Sequence, residues 1–130
     1  MKSNKILVLG YGVASNAYLS LLENNNQNII VLGSPLDKKK ILQAKTNREN
    51  FSNNISFSKK TKFFFHNEDN KINFKKINYI IIGTNSKGIK WVCDIIKKTN
   101  VRTKFLILTK GLMLHQKKII TISEYLKKIT

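Results

Sequence analysis

The sequence predicts an α/β fold, a single domain on a doubly wound, mainly parallel sheet. Three observations carry that prediction. Strand-like and helix-like segments alternate along the chain without an internal repeat. The apolar runs Ile80–Ile82 and Phe105–Leu108 are unbroken, as in parallel strands covered on both faces. The first apolar run, Ile6 to Leu9, breaks into Gly10-Tyr11-Gly12, and a helical pattern follows at once.

Taken in order, Ile6–Leu9 is the first strand. The first helix is expected from about Val13 to Glu23, with Ala14, Ala17, Tyr18, Leu21 and Leu22 facing inward at i, i+3, i+4 spacing. Asn24-Asn25-Asn26 ends it, and Asn28 to Leu32 reads as the second strand. Gly33-Ser34-Pro35 is a break, with Pro35 suited to the first turn of a helix from about Leu36 to Ala44. Residues 46–61 are polar and weakly patterned. Lys62 to His66 reads as a strand, an Asn/Asp/Lys-rich loop follows, and Tyr79 to Ile82 is a strongly apolar strand. Asn85 or Ser86 can cap a helix that places Ile89, Val92, Cys93 and Ile96 on one face. Phe105 to Leu108 is expected to be a further buried strand, and Ser123 to cap a short terminal helix.

The glycine pair carries the chemistry. In a strand–turn–helix context, Gly10 allows a sharp turn, and Gly12 allows the backbone to approach a pyrophosphate with no Cβ in the way. The helix beginning at Val13, Ala14 and Ser15 aims its free N–H groups and positive dipole end at the anion. Ser15 stands where G-x-G-x-x-G has its third glycine, and a small serine can still allow close helix–strand packing. This is a Rossmann-type arrangement that predicts dinucleotide binding; the alternative is a βα turn of an α/β protein that binds none.

An acidic residue normally ends the second strand and binds the adenine ribose. Here Leu32-Gly33-Ser34 stands there, with no carboxylate until Asp37. Without that acid, Ser34 with Lys38 or Lys39 could hold a 2′-phosphate, so the cofactor is expected to be NAD or NADP, with NADP favoured.

Composition narrows the rest. The formal net charge is +17 over 130 residues. The lysines are scattered rather than blocked, and they accompany an excess of Asn and Ile, so no specific nucleic-acid partner is expected; the charge draws in anionic cofactors and phosphorylated substrates. With 42% hydrophobic residues the chain is not of a disordered class. No apolar stretch approaches ~18 residues, so no membrane span is expected. The first apolar run is too short for a secretory signal. The single cysteine, Cys93, fits a reducing compartment and a cytoplasmic location, and reads as a small buried hydrophobe. No His/Cys/carboxylate constellation suggests a metal. Trp91, His66 and His115 are weaker site candidates.

Four further segments point to one family. Thr46-Asn47-Arg48-Glu49-Asn50 stands where glycerol-3-phosphate dehydrogenases have an Arg-x-Asn element. Gly83-Thr84-Asn85-Ser86 stands at their small-residue turn beside the nicotinamide. Thr109-Lys110-Gly111-Leu112 is similar to their Ser/Thr-Lys-Gly signature, and Ile122-Ser123-Glu124-Tyr125-Leu126 to the Leu-Ser-Glu segment after it. In this order, over essentially the whole chain, they resemble the N-terminal cofactor domain of a bacterial or archaeal NAD(P)-dependent glycerol-3-phosphate dehydrogenase.

The resemblance implies hydride transfer between NAD(P)H and dihydroxyacetone phosphate, giving glycerol 3-phosphate for phospholipid backbones. Lys110 matches the signature lysine that approaches the substrate's reacting oxygen. The family continues into a Gly-Pro-Ser segment and a helical substrate domain, with a second catalytic lysine and the glycerol phosphate site. The expectation is therefore that residues 1–130 form the dinucleotide-binding domain alone, inactive by itself, with an uncovered sheet edge prone to self-association. The other reading from the sequence is a stand-alone nucleotide-binding module with a sensing or structural role.

Overall fold

Two faces of one short strand set the architecture. In β1 (Lys5–Leu9) the alternating side chains Ile6 and Val8 pack to one side and Leu7 and Leu9 to the other, and all four are buried. The strand must therefore be covered twice. The computed structural model describes residues 4–25, 27–50 and 56–130.

Beyond β1 the chain forms α1 (Val13–Asn24), β2 (Asn28–Leu32), α2 (Lys38–Asn47), β3 (Lys62–Phe64), β4 (Tyr79–Ile82), α3 (Ile89–Thr99), β5 (Lys104–Ile107), β6 (Leu112–His115), β7 (Lys118–Thr121) and α4 (Ile122–Ile129). The first five strands make one sheet in the order β3-β2-β1-β4-β5, parallel throughout. The helices divide by face, as the doubly wound expectation requires. Leu19 of α1 with Ile41 and Ala44 of α2 pack under Ile6, Val8, Ile29, Val31 and Ile81. Ile89, Val92, Cys93, Ile95 and Ile96 of α3, with Ile122 and Leu126 of α4, cover Leu7, Leu9, Ile80 and Ile82. Between β3 and β4 the connection runs through two single 3₁₀ turns, Asp69–Lys71 and Phe74–Lys76. No helix of the described residues is long and apolar enough to cross a membrane.

Several local expectations are corrected. In α1 the buried residues are Ser15, Asn16 and Leu19, whereas Ala14, Ala17 and Leu21 are exposed and Tyr18 and Leu22 half-buried. The helix is turned because Ser15 must meet the sheet. The run Phe105–Leu108 is an edge strand whose side chains are half-buried or exposed, Leu106 among the latter, because β5 has a neighbour only in β4. The terminal helix is capped by Thr121, not Ser123: the Thr121 hydroxyl accepts from the Glu124 N–H and the Glu124 carboxylate accepts from the Thr121 N–H. Residues 112–121 were not expected to form strands, yet β6 and β7 pair as an antiparallel hairpin. The second helix begins later than expected, after a 3₁₀ turn over Pro35–Asp37, and the third strand stops at Phe64. Asn26 and residues 51–55, within the expected helix end and polar stretch, lie outside the described residues.

Candidate functional site

The turn after β1 is built from both neighbours. Gly10 has φ 92°, a left-handed conformation that side chains rarely adopt, and its N–H donates to the Leu32 carbonyl at 2.8 Å. A Cβ there would lie 2.5 Å from Thr84 Cγ2, so the glycine is required by the fold itself. The Tyr11 N–H donates to Asp37 Oδ2 at 2.8 Å, while its buried ring packs edge-on to Phe63, centroids 5.7 Å apart. Ser15 Oγ donates to the Gly83 carbonyl at 3.2 Å. A Cβ on Gly83 would fall 1.8 Å from that oxygen, so the serine and the glycine fit only as a pair.

Gly12 differs from these. It is the N-cap of α1, its carbonyl accepts from the Asn16 N–H at 2.9 Å, and no side chain caps the helix. A Cβ on Gly12 would meet only the Gly83 carbonyl oxygen, at an ordinary 3.6 Å. The protein leaves room for a side chain there. The first amides of α1 have no partner within the helix, as at any helix start.

Three turns converge on one cavity of about 400 Å³. Gly12, Val13 and Ala14 line it from the first turn; Ser34, Leu36, Asp37 and Lys40 from the second; Gly83, Thr84 and Asn85 from the turn after β4. It sits at the carboxyl ends of the central strands, where the order reverses around β1, the place where open α/β sheets bind ligands. Thr84 is nine-tenths buried, and its hydroxyl has no hydrogen-bond partner among the described residues. Asn85 caps the next turn, accepting from the Gly88 N–H at 3.2 Å.

Of the residues singled out from the sequence, the structure brings Gly12, Val13, Ala14, Ser34, Gly83, Thr84 and Asn85 to the cavity wall. Gly10 and Ser15 lie behind it, as supports. Lys38 is not in the wall; it borders a separate hollow with Phe65, His66 and Asn67, and Lys40 takes the place expected for it. Helix geometry explains this, because two residues further along α2 turn the side chain by more than half a circle.

Lys110 is exposed, follows β5 and does not line the cavity. Its turn is tied in by Thr109, whose Oγ1 donates to the Thr84 carbonyl at 2.6 Å. Gly111 beside it has φ 140°.

Asp37 is the residue that sequence reasoning passed over. It is buried in the cavity wall, and its Oδ2 accepts from both the Tyr11 and Ser34 N–H groups at 2.8 Å. Ser34-Pro35-Leu36-Asp37 has the spacing of a capping box, and the structure contains one, which is the signal that could have found it.

The remaining candidates do other work. Arg48, in the left-handed conformation at the end of α2, donates to the Ser58 and Thr61 carbonyls and covers the Phe63 ring. His115 packs against Tyr125, ring centroids 5.1 Å apart, and Trp91 against the core. Cys93 is buried, and burial pushes its thiol up to about 11, partly offset by Lys97. Among the described residues no group of three His, Cys, Asp or Glu could hold a metal ion.

Comparison with solved structures gives relatives of this fold, three dehydrogenases among them. The glycerol-3-phosphate dehydrogenase of Coxiella burnetii is 20% identical with a TM-score of 0.70, covering 85% of this chain and 33% of that one. A D-mandelate dehydrogenase, solved as a ternary complex with NADH and anilino(oxo)acetate, is 14% identical with a TM-score of 0.67, covering 97% and 37%. A lactate dehydrogenase from a Medee basin deep-sea metagenome library is 14% identical with a TM-score of 0.56, covering 88% and 40%. At these identities the likeness establishes the fold, and the chain spans between about a third and two fifths of each relative's length. Comparison with curated proteins gives no match. The family model of the NAD-dependent glycerol-3-phosphate dehydrogenase N-terminus matches residues 5–130. Covering nearly the whole chain, that match places this protein in the NAD-dependent glycerol-3-phosphate dehydrogenase family, as its N-terminal, nicotinamide-dinucleotide-binding part.

Proposed function

We propose that residues 1–130 form the cofactor domain of an enzyme that interconverts dihydroxyacetone phosphate and glycerol 3-phosphate by hydride transfer, in the cytoplasm, supplying glycerol backbones for lipid synthesis. The observation that carries the reading is Gly12. The fold would accept a Cβ there, so its absence serves something outside the protein. A pyrophosphate against the Gly12, Val13 and Ala14 backbone would meet the open amides and positive end of α1. The orphaned Thr84 hydroxyl fits the same group, since a buried hydroxyl without a partner is costly until a ligand supplies one. Ser34 and Asp37 then face the adenosine half, and Gly83, Thr84 and Asn85 the nicotinamide half. Bound there, the nicotinamide supplies the hydride acceptor or donor.

The chain's own contribution to the chemistry is Lys110. An ammonium at the carboxyl end of a parallel strand can hydrogen-bond the substrate's carbonyl or alkoxide oxygen and stabilise the charge that grows on it. Lys110 is exposed and outside the cavity, which favours a second reading, a stand-alone nucleotide-binding module with a sensing or structural role. Oxidation of NADH or NADPH in the presence of dihydroxyacetone phosphate separates the two, turnover by residues 1–130 alone removing the second.

Binding itself is tested with Gly12→Val. Its side chain occupies the space of the pyrophosphate, so NADH affinity, read by nucleotide fluorescence, should fall beyond measurement while the circular dichroism spectrum stays that of the wild type. Unchanged affinity would mean that the glycine only shapes a turn.

A further inference from the structure

The second strand lacks the usual acid at its end, yet the fold brings a carboxylate to the cavity from further along the chain. Asp37 is buried, and its Oδ2 is held by two backbone amides, Tyr11 N–H from the turn after β1 and Ser34 N–H from the turn after β2, each at 2.8 Å. Those two bonds come from different strands, so the carboxylate is fixed in place rather than swung on its side chain. Both use Oδ2. It stands in the cavity wall with Ser34, in the turn after β2, and β2 and β4 flank β1 on opposite sides.

We propose that Asp37 is the specificity-determining residue of this site and makes it select a dinucleotide whose adenosine ribose carries a free 2′-hydroxyl, NAD over NADP. The proposal rests on the dinucleotide reading above. A carboxylate at the ribose accepts a hydrogen bond from a 2′-hydroxyl, whereas a 2′-phosphate brings a second negative charge against it. The argument for NADP rested on the absence of such a charge near Ser34, and the capping box returns one. Lys40 lines the same wall and offsets part of the repulsion. Lys38, which would add to it, borders the separate hollow by Phe65. Asp37 also ties the turn after β1 to the turn after β2, so its charge and its position are built by one arrangement.

The test compares NADH and NADPH affinities by fluorescence titration in the wild type and in Asp37→Asn. Asparagine keeps a carbonyl oxygen for the two amides and removes the charge. The wild type should bind NADH at least about tenfold more tightly than NADPH, a modest ratio for like charges a few ångströms apart. Asp37→Asn should narrow that ratio about tenfold, mainly through tighter NADPH binding. A purely structural role would weaken both dinucleotides alike and leave the ratio unchanged, which would overturn the proposal. So would a wild type that binds NADPH as tightly as NADH. That wild-type ratio decides the matter even if the variant does not fold. Failure of the wild type to bind either dinucleotide would overturn the site reading itself, and the specificity argument with it.

Discussion

The turn after β1 and the turn after β5 both stand at carboxyl ends of the parallel sheet, but they are held very differently. In the first, Gly10 is pressed on Thr84, Tyr11 is bonded to Asp37, and Ser15 is bonded to Gly83. Together these contacts reach two other turns, the one after β2 and the one after β4. In the second, Thr109 makes one bond to the Thr84 carbonyl, Lys110 is exposed, and a Cβ on Gly111 would meet nothing nearer than 3.9 Å. Beyond it the β6–β7 hairpin exposes Leu112, Leu114 and Ile119. The difference teaches where this chain has invested its packing. The side proposed for the cofactor is preorganised by the sheet, while the side proposed for the substrate is presented on a turn with a single side-chain tie among the described residues.

The largest effect expected from breaking that asymmetry is at Gly10. A Gly10→Val side chain must adopt a left-handed backbone and also enter the space of Thr84. Strain and overpacking together should cost about 3 kcal/mol or more, measured by urea denaturation. A loss below about 1 kcal/mol would show that the turn relaxes and is not locked by its neighbours.

Lys110 probes the other side. Where this chain is joined after Thr130 to the substrate domain of a related glycerol-3-phosphate dehydrogenase and turns over, Lys110→Met should lower kcat by about a hundredfold or more, the scale for losing one preorganised donor to an oxyanion. NADH affinity should be unchanged, and unfolding free energy should move by no more than about 0.5 kcal/mol, as for an exposed position. Full activity in the variant would remove Lys110 from the site. A weakened NADH affinity would break the division between the two turns.

How much of this was legible in the sequence follows from the same division. β2 and β4 run from Asn28 to Leu32 and from Tyr79 to Ile82, the bounds that their apolar runs predict. The inward face of α3 was legible too, because Ile89, Val92, Cys93 and Ile96 are apolar at helical spacing. The face of α1 was not: two of its three buried residues, Ser15 and Asn16, are polar, so hydrophobic periodicity selected the wrong side. The hairpin was invisible because its turn puts Gln116 and Lys117 at φ 50° and 64°, without the Asn-Gly or Asp-Gly pair that announces such turns. Ser34 and Asp37 show their capping box in the sequence, but the bond from Tyr11 to Asp37 joins residues 26 apart and exists only once β1 and β2 are paired.

The smallest effect expected is at the one side-chain tie of the second turn among the described residues. Thr109→Val keeps the side-chain shape and removes the hydroxyl that donates to the Thr84 carbonyl. Its cost in urea denaturation should be about 1 kcal/mol, the net worth of one neutral hydrogen bond. Because the Thr84 backbone leads directly into the hydroxyl that faces no protein partner, losing the tie should also weaken NADH binding by about two- to threefold, through a less fixed Thr84. A full loss of NADH binding would mean that the β5 turn shapes the cofactor cavity as strongly as the glycine turn does, and the contrast between the two sides would fail. No change in stability would mean that packing of β5 on β4 alone holds the turn, which would make the substrate side looser still.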